Sequence, residues 1–484
     1  MTRVAIVGGG LAGTAAATIL AQTEGVHVDL FERRTRLGGR AGSFYDPVVG
    51  RTIDNCQHVL MGCCTEAFRF YESIDAAQHW CPLDSLRFVD QTGQASAFRA
   101  VPFLPPPLHL APAFARMRFL SVAERIQIAR AMRKIPRRES LVAREISEQN
   151  SSTFGDWLRD HGQSDSTINR FWDVIVRGAL AASCNTASYD MALKVFRDAF
   201  LTTRTGHIVF TPRVSLDRLH HEIPLAFFQR HDVAVHLGCN VREVAPPRDS
   251  GGRVTLRMRD GRMSTYDAVL IAVPWHAVDR LLPSVNRDDA TRTFFERYPC
   301  GKIPSSAITA VHVWLDRPLS DWEHAVLIDE QGDWMFRASE PDSISNEPSE
   351  KDAIDGPSGY HYMLVSSGTE QSPTVRGQDA AEAALHKLRT CMGKAGHQNE
   401  ATLPKIVHWR FKHHPHAVFS VQPETEAMRP PQTTPMPGVY LAGDATQTGW
   451  PGTIEGAVRS GRAAADALLH DFAPELKPDE SSPS

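Results

Sequence analysis

Residues 3–13 read Arg-Val-Ala-Ile-Val-Gly-Gly-Gly-Leu-Ala-Gly, an apolar run that stops at Gly8 and opens onto an Ala-rich segment. The run 3–7 predicts a strand, the proline-free stretch Leu11–Gln22 a helix, and Val26–Phe31 a second strand buried on both faces. Strand, Gly-rich turn, helix and strand in that order point to an α/β chain with a parallel, doubly wound, Rossmann-like sheet. Gly8 permits the tight turn, Gly10 lets the backbone approach a pyrophosphate, and Gly13 lets helix and strand pack closely. The helix N-terminus at Leu11 and Ala12 supplies unpaired N–H groups and a positive dipole end. Glu32, nineteen residues past Gly13, is placed to accept hydrogen bonds from a ribose diol, with Arg33 beside it. The acid disfavours a 2′-phosphate, which leaves NAD or FAD.

The chain has 484 residues, long enough for two or three lobes. Hydrophobic residues at 42% and charged residues at 22% exclude a wholly disordered chain. Lys+Arg 52 against Asp+Glu 56 leaves no basic excess to neutralise a phosphate backbone, so nucleic acid is not an expected partner. The longest apolar run, Ala268–Trp275, is far shorter than a bilayer span needs. Eight cysteines, with only Cys63 and Cys64 close in sequence and no CxxC pair, indicate neither a disulfide framework nor structural zinc. Cys63 and Cys64 read as packing residues. The first residues run straight into a strand without a signal-peptide pattern, so the cytoplasm is the expected location.

Further along, Ser121 is placed as the N-cap of a helix running through Ile135, inside a largely helical stretch 121–200. Val233–Leu237, Val254–Met258, Ala268–Val273, Ala307–Leu315 and Gly438–Ala442 predict strands, and Asp260-Gly261 a hairpin turn. Ser339–Gly359 reads as an exposed loop, Thr453–His470 as a helix, and the tail 473–484 as disordered. Small residues four apart, at Gly13, Ala17 and Ala21 and again at Gly456, Ser460 and Ala464, predict that these two helices pack together. The nucleotide lobe is therefore expected in three pieces, 1–65, 205–290 and 430–472. A mixed α+β substrate-binding domain, 66–204 and 291–429, is inserted between them, with a helical part at 103–200.

Glu32 continues into Arg33-Arg34-Thr35-Arg36-Leu37-Gly38-Gly39-Arg40. Near the other end stand Val439-Tyr440-Leu441-Ala442-Gly443-Asp444 and Gly449-Trp450-Pro451-Gly452-Thr453-Ile454-Glu455-Gly456. With the first motif, these resemble FAD proteins of the amine oxidase and phytoene desaturase superfamily. That resemblance implies FAD. Gly38 and Gly39 would pass against the dinucleotide and Arg40 would offer donors to its phosphates. Gly443 and Asp444 would hold the ribitol and pyrophosphate region, and Val241 would pair the adenine through its backbone. Gly452, Thr453 and Ile454, at a helix N-terminus, would face the isoalloxazine. No cysteine lies within 439–456, where some relatives attach FAD, so the cofactor is expected to be non-covalent.

Asp54-Asn55-Cys56-Gln57-His58-Val59-Leu60-Met61-Gly62-Cys63-Cys64 is similar to the Asp-Asn-Gly-Gln-His-Val-Leu-x-Gly-Cys-Cys run of the hydroxysqualene dehydroxylases (squalene-associated FAD-dependent desaturases), with Cys56 in place of Gly. Thr448–Glu455 is similar to theirs too. The resemblance implies reductive removal of the allylic hydroxyl of hydroxysqualene to give squalene, in squalene and hopanoid-type isoprenoid biosynthesis, with an external electron donor for FAD. Such chemistry needs a proton donor and a dry channel. His58 is the first candidate donor, or else only hydrogen-bonds the flavin or a backbone carbonyl. Asp54, if protonated by burial, is a second, and Asn55 and Gln57 belong to the same reactive face. The rivals are an isoprenoid desaturase, a flavin amine oxidase and a flavin-free prenyl-binding chaperone. An amine oxidase often carries a lysine in the strand reaching the flavin, and matching Val311–Arg317 to that strand puts Ala310 at the lysine position, well away from Lys302. The stretch His408, His413, His414, His416, interrupted by Pro415, reads as a solvated or channel-lining segment rather than a metal site. Phe103, Leu104, Leu108, Phe114, Met117, Phe119 and Leu120 lie near Arg116, Arg118, Arg125, Arg130, Arg133, Lys134, Arg137 and Arg138. That mixture fits peripheral contact with anionic lipid on the inner face of a membrane.

Overall fold

Val4, Ala5 and Ile6 are buried on both sides of their strand, and a strand covered on both faces belongs in the middle of a parallel sheet. The computed structural model describes residues 1–136, 152–247, 252–282, 288–328, 332–338, 359–369, 375–393 and 404–476. Residues 339–358 of the predicted loop Ser339–Gly359, Arg137, Arg138 and residues 477–484 lie outside the described residues. The principal elements begin with β1 (Thr2–Val7), α1 (Leu11–Ala21), β2 (Val26–Glu32), α2 (Thr65–Ser73), β3 (Leu86–Asp90), β4 (Ala95–Phe98), α3 (Val122–Lys134) and α4 (Asp173–Leu180). Next come β5 (Ala234–Leu237), β6 (Val241–Ala245), β7 (Val254–Met258), β8 (Met263–Tyr266), β9 (Ala268–Ile271) and α5 (Trp275–Leu281). Then follow β10 (Ser305–Leu315), β11 (His324–Ile328), β12 (Trp334–Arg337), β13 (Tyr360–Thr369), α6 (Gly377–Leu388), β14 (Ile406–Phe419), β15 (Val439–Leu441) and α7 (Ile454–Leu476).

Five of these strands form a parallel sheet in the order β5-β2-β1-β9-β15, with Val7 opposite Phe31 and Ile271 opposite Leu441. Its strands come from the start, the middle and the end of the chain. An antiparallel sheet β6-β7-β8 lies beside it, with its hairpin turn at Asp260 and Gly261. A seven-stranded sheet, β14-β10-β13-β12-β11-β3-β4, is antiparallel except where β11 meets β3. One face of it packs Val311, Val313, Met335 and Leu364 on Ala381, Ala384 and Leu385 of α6. Because side chains alternate along a strand, Ile308, Ala310, Trp334, Phe336 and Val365 gather on the other face.

α1 is buried almost all round, between the parallel sheet and α7. The two helices do pack together, as their small residues predict, but the point of closest approach is Gly461: a Cβ there would lie 2.1 Å from the Ala12 carbonyl oxygen. Gly456 instead abuts the Pro451 carbonyl, and Ser460 turns to Gly443, its Oγ accepting the Gly443 N–H at 2.8 Å. Ser121 caps α3 in a reciprocal box with Glu124.

The stretch His408, His413, His414 and His416 lies in β14, an edge strand where the missing N–H of Pro415 is tolerated. Two expectations are corrected. Met117, Phe119 and Leu120 are buried in a core with Phe88, Phe154 and Trp157, not on the surface, and Arg125 turns inward to donate to the Met117 and Leu120 carbonyls at 2.9 and 2.8 Å. The last helix runs on to Leu476, into the stretch read as tail. Gly461→Ala is expected to lower stability by about 3 kcal/mol, because the obstacle is backbone that yields little. Gly238→Ala, where nothing lies within 4 Å and only a φ of +68° resists a side chain, should cost about 1 kcal/mol. Denaturation midpoints of the two variants check that order.

Candidate functional site

At the C-terminal ends of the parallel strands the chain encloses a cavity of about 890 Å³, the place where open α/β sheets take ligands. The Gly8–Ala12 turn forms one wall. Gly8 has φ +114°, and a Cβ there would lie 2.4 Å from the Ala272 carbonyl oxygen. Gly13 does not line the cavity; it packs against the Gly8 carbonyl, where a Cβ would sit at 1.9 Å. Gly10 caps α1 without any side-chain hydrogen bond, so the first-turn N–H groups of Leu11 and Ala12 are left for a ligand. The second Gly run is tied to the first: the Gly38 N–H donates to the Gly9 carbonyl at 2.8 Å, and a Cβ at Gly39 would lie 3.0 Å from the Gly10 Cα.

Glu32 is buried at the end of β2, its two carboxylate oxygens accepting the N–H groups of Gly9 and Arg34, each at 2.8 Å. Arg33, Gly38, Gly39, Arg40, Val241, Gly443, Asp444, Gly452, Thr453 and Ile454 border the same cavity. Arg40 pairs with Asp444, donates to the Ala417 carbonyl at 2.9 Å, and stands over the Trp275 ring. Arg429, missed in the sequence, is fully buried behind this segment. It donates to the carbonyls of Asp444 and Thr446 and to Thr448 Oγ1, and pairs with Glu426. No short motif marks it; its signal is only an arginine just ahead of the last strand.

The run 54–59 closes the cavity from the other side, and its members separate. Cys56, Gln57, His58 and Val59 border the cavity, whereas Asp54 and Asn55 lie behind it. Asp54 accepts Ser43 Oγ at 2.7 Å and the Leu216 N–H at 2.9 Å, and burial pushes its carboxyl up to about 6. His58 Nδ1 lies 3.1 Å from the Cys56 carbonyl, which selects the tautomer with hydrogen on Nδ1. Burial holds the imidazole below the usual histidine range. The Gln57 amide donates to the His58 carbonyl at 3.2 Å. A buried pair unseen in the sequence supports the run: His312 Nε2 lies 3.3 Å from the Asn55 carbonyl, and His312 Nδ1 is 3.1 Å from His361 Nε2. Donation to Asn55 makes His312 Nδ1 the acceptor, so His361 Nε2 donates to it.

The cavity has two characters. The end around Gly8, Glu32 and Arg40 is polar. The arm between the sheet face carrying Ile308, Trp334, Phe336 and Val365 and the end of α4 at Gly178–Leu180 is apolar. No lysine is among the described residues that line it, and the matched position, Ala310, is buried with Cys56 and Phe336. Lys302 lies in a short exposed turn, away from the cavity.

The site fits FAD: glycine cradles that any Cβ would fill, a helix start without a cap, and a buried acid, Asp444, paired with Arg40. FAD is the cofactor of this site. Among the described residues no helix is long and apolar enough to cross a membrane.

Asp54 supplies a check on the burial of this region. A carboxyl with a raised pKa stabilises the fold fully below the unfolded pKa and loses that contribution as pH rises through about 6. Asp54→Asn, which keeps the acceptor for Ser43 and Leu216, should gain more stability at pH 7.5 than at pH 4.5. The expected difference is about 2 kcal/mol. Equal shifts in denaturation midpoint at the two pH values would contradict it.

Comparison with known proteins agrees with this geometry. Over 490 aligned residues the chain is 25% identical to the probable zeta-carotene desaturase of Synechococcus elongatus, covering 96% of this chain and 98% of that one. It is 26% identical over 479 residues to the hydroxysqualene dehydroxylase of Rhodopseudomonas palustris, covering 96% and 98%. The cyclohexylamine oxidase of Brevibacterium oxydans shares the fold with a TM-score of 0.67 at 16% identity, covering 98% of this chain and 99% of that one. Residues 11–469 match the flavin containing amine oxidoreductases, and the chain belongs to that family.

Proposed function

We propose that this FAD-dependent oxidoreductase reductively removes the allylic hydroxyl of hydroxysqualene to give squalene. The observation that carries the reading is the apolar arm opening from the flavin site beside the run Asp54–Cys64. On this reading residues 1–65, 205–290 and 430–472 hold FAD, and 66–204 and 291–429 receive the isoprenoid. Bound there and reduced by an external donor, FAD supplies a hydride to carbon. The residues do the rest. Ile308, Trp334, Phe336 and Val365 exclude water along the chain of the substrate. Protonated His58 keeps Nδ1–H on the Cys56 carbonyl and gives its Nε2 proton to the hydroxyl, which leaves as water. Gln57 fixes the His58 backbone, while Asn55, through His312, and Asp54, through Leu216, hold the run in place. The arm without a lysine supports an isoprenoid over an amine.

A second reading, an isoprenoid desaturase, is favoured by one observation. Burial keeps His58 neutral at physiological pH, with Nε2 an acceptor, and desaturation needs a base to take the proton that follows hydride loss. Anaerobic incubation of photoreduced enzyme with hydroxysqualene separates the two. Squalene is the expected product, its rate rising as pH falls, with a midpoint below the usual histidine range. His58→Ala should slow it by about 100-fold with unchanged flavin content, measured as flavin released on acid precipitation. Absence of squalene with full flavin reduction sinks the first reading, and flavin left on the precipitated chain sinks non-covalent attachment.

We also propose that substrate arrives from a membrane surface. Phe103 (79% exposed), Leu108, Val122 (68% exposed) and Ile126 form the outward apolar set, and Arg130, Arg133 and Lys134 follow on the exposed side of α3. The protein should sediment with anionic liposomes at low salt and release at high salt. Phe103→Ser with Ile126→Glu should abolish sedimentation, and equal binding by that variant would refute this surface.

A further inference from the structure

Trp334 and Phe336 are two residues apart in β12 and so share a face. Their rings are near parallel, 16° apart in plane with centroids 5.9 Å apart, and both border the apolar arm. The opposite wall is the small-residue end of α4, so close that a Cβ on Gly178 would lie 3.1 Å from Trp334 Nε1. Among the described lining residues the only carboxylates are Glu32 and Asp444. Both are committed elsewhere, Glu32 to the N–H groups of Gly9 and Arg34 and Asp444 to Arg40. Among the described residues the arm itself holds no anion.

A positive charge arising on carbon beside this apolar face meets no carboxylate among the described lining residues, and a charge set against apolar side chains is costly. An aromatic face within about 6 Å of a cation is the remaining source of attraction, and it is strongest where water is excluded. We propose that Trp334 and Phe336 are catalytic residues that stabilise an allylic carbocation of an isoprenoid by cation–π contact. The inference deepens the function proposed above and rests on it. The C–O bond breaks heterolytically, the oxygen leaves as water with the donated proton, and the vacant allylic orbital is filled by the incoming hydride. In the desaturating direction hydride loss leaves the same kind of cation, which then gives up a proton. The two rings serve either course, because the charged species beside them is alike.

The test uses the oxidised holoenzyme and two analogues with the same isoprenoid tail. One ends in a trimethylammonium group, the other in its neutral tert-butyl isostere. Binding is read from the perturbation of the flavin absorption. The wild type should prefer the ammonium by about tenfold, a difference of about 1.4 kcal/mol. Trp334→Leu and Phe336→Leu should each bring the ratio of affinities towards one, and Trp334→Phe should keep most of it. Equal affinities in the wild type, or a preference that survives in Trp334→Leu and Phe336→Leu, overturns the proposal while an isoprenoid site stands. If neither analogue perturbs the flavin, the isoprenoid reading fails, and this proposal with it.

Discussion

The architecture depends on backbone lying against backbone where no side chain can intervene. Gly8 meets the Ala272 carbonyl, Gly13 meets Gly8, and Gly461 meets Ala12. These contacts pin the start of α1 between two segments that are far away in sequence, β9 and α7. Each would be lost to a single methyl group. The helix start is thereby held where its free N–H groups face the cavity, so a packing constraint becomes a binding property.

A second set of contacts extends the same closure by charge. Asp444 presents its carboxylate to Arg40 from the second Gly run, and its carbonyl to Arg429. Ser460 holds Gly443 from the next helix. A buried guanidinium without acceptors would be costly; Arg429 is tolerated because carbonyls, a hydroxyl and Glu426 share the donors on its two Nη atoms. The turn after β15 is thus fixed from three directions, as precise placement of a cofactor requires.

What was legible in the sequence follows from how local its cause is. The order β1, Gly-rich turn, α1, β2 is written in neighbouring residues, and so are the Ser121 cap and the Asp260-Gly261 hairpin. That the two Gly-rich runs and the Gly443-Asp444 turn, short motifs in fixed spacing, meet at one cavity was readable for the same reason. The edge strand β14 was not, because histidines and Pro415 mask its alternation and only pairing with β10 makes it a strand. Arg429 and the His312–His361 pair were invisible because their meaning lies in partners far along the chain. The buried side chains of Met117, Phe119 and Leu120 show a different failure: composition names apolar residues but not the side on which a core lies. Within the run 54–58 the sequence grouped four residues that the fold separates, with Gln57 and His58 at the cavity and Asp54 and Asn55 behind it.

That separation bears on the direction of the chemistry. Burial acts oppositely on the two titratable members of the run, raising the Asp54 carboxyl and lowering the His58 imidazole, since in each case it opposes the charged form. A lowered pKa makes the imidazolium a stronger acid but a rarer one. Proton transfer gains only a fraction of each unit of acid strength, whereas the population falls by the whole unit, so the loss prevails. Within the proposed function, a lowered imidazole at neutral pH suits the desaturase reading, and the proton-donor role proposed for His58 gains as the medium becomes more acidic. Dehydroxylation, which spends a proton on each hydroxyl, is favoured as the medium becomes more acidic, and desaturation, which releases one, is favoured as it becomes less so. On the function proposed above, the same cavity walls serve either course, and the protonation of His58 is what would tilt the balance between them.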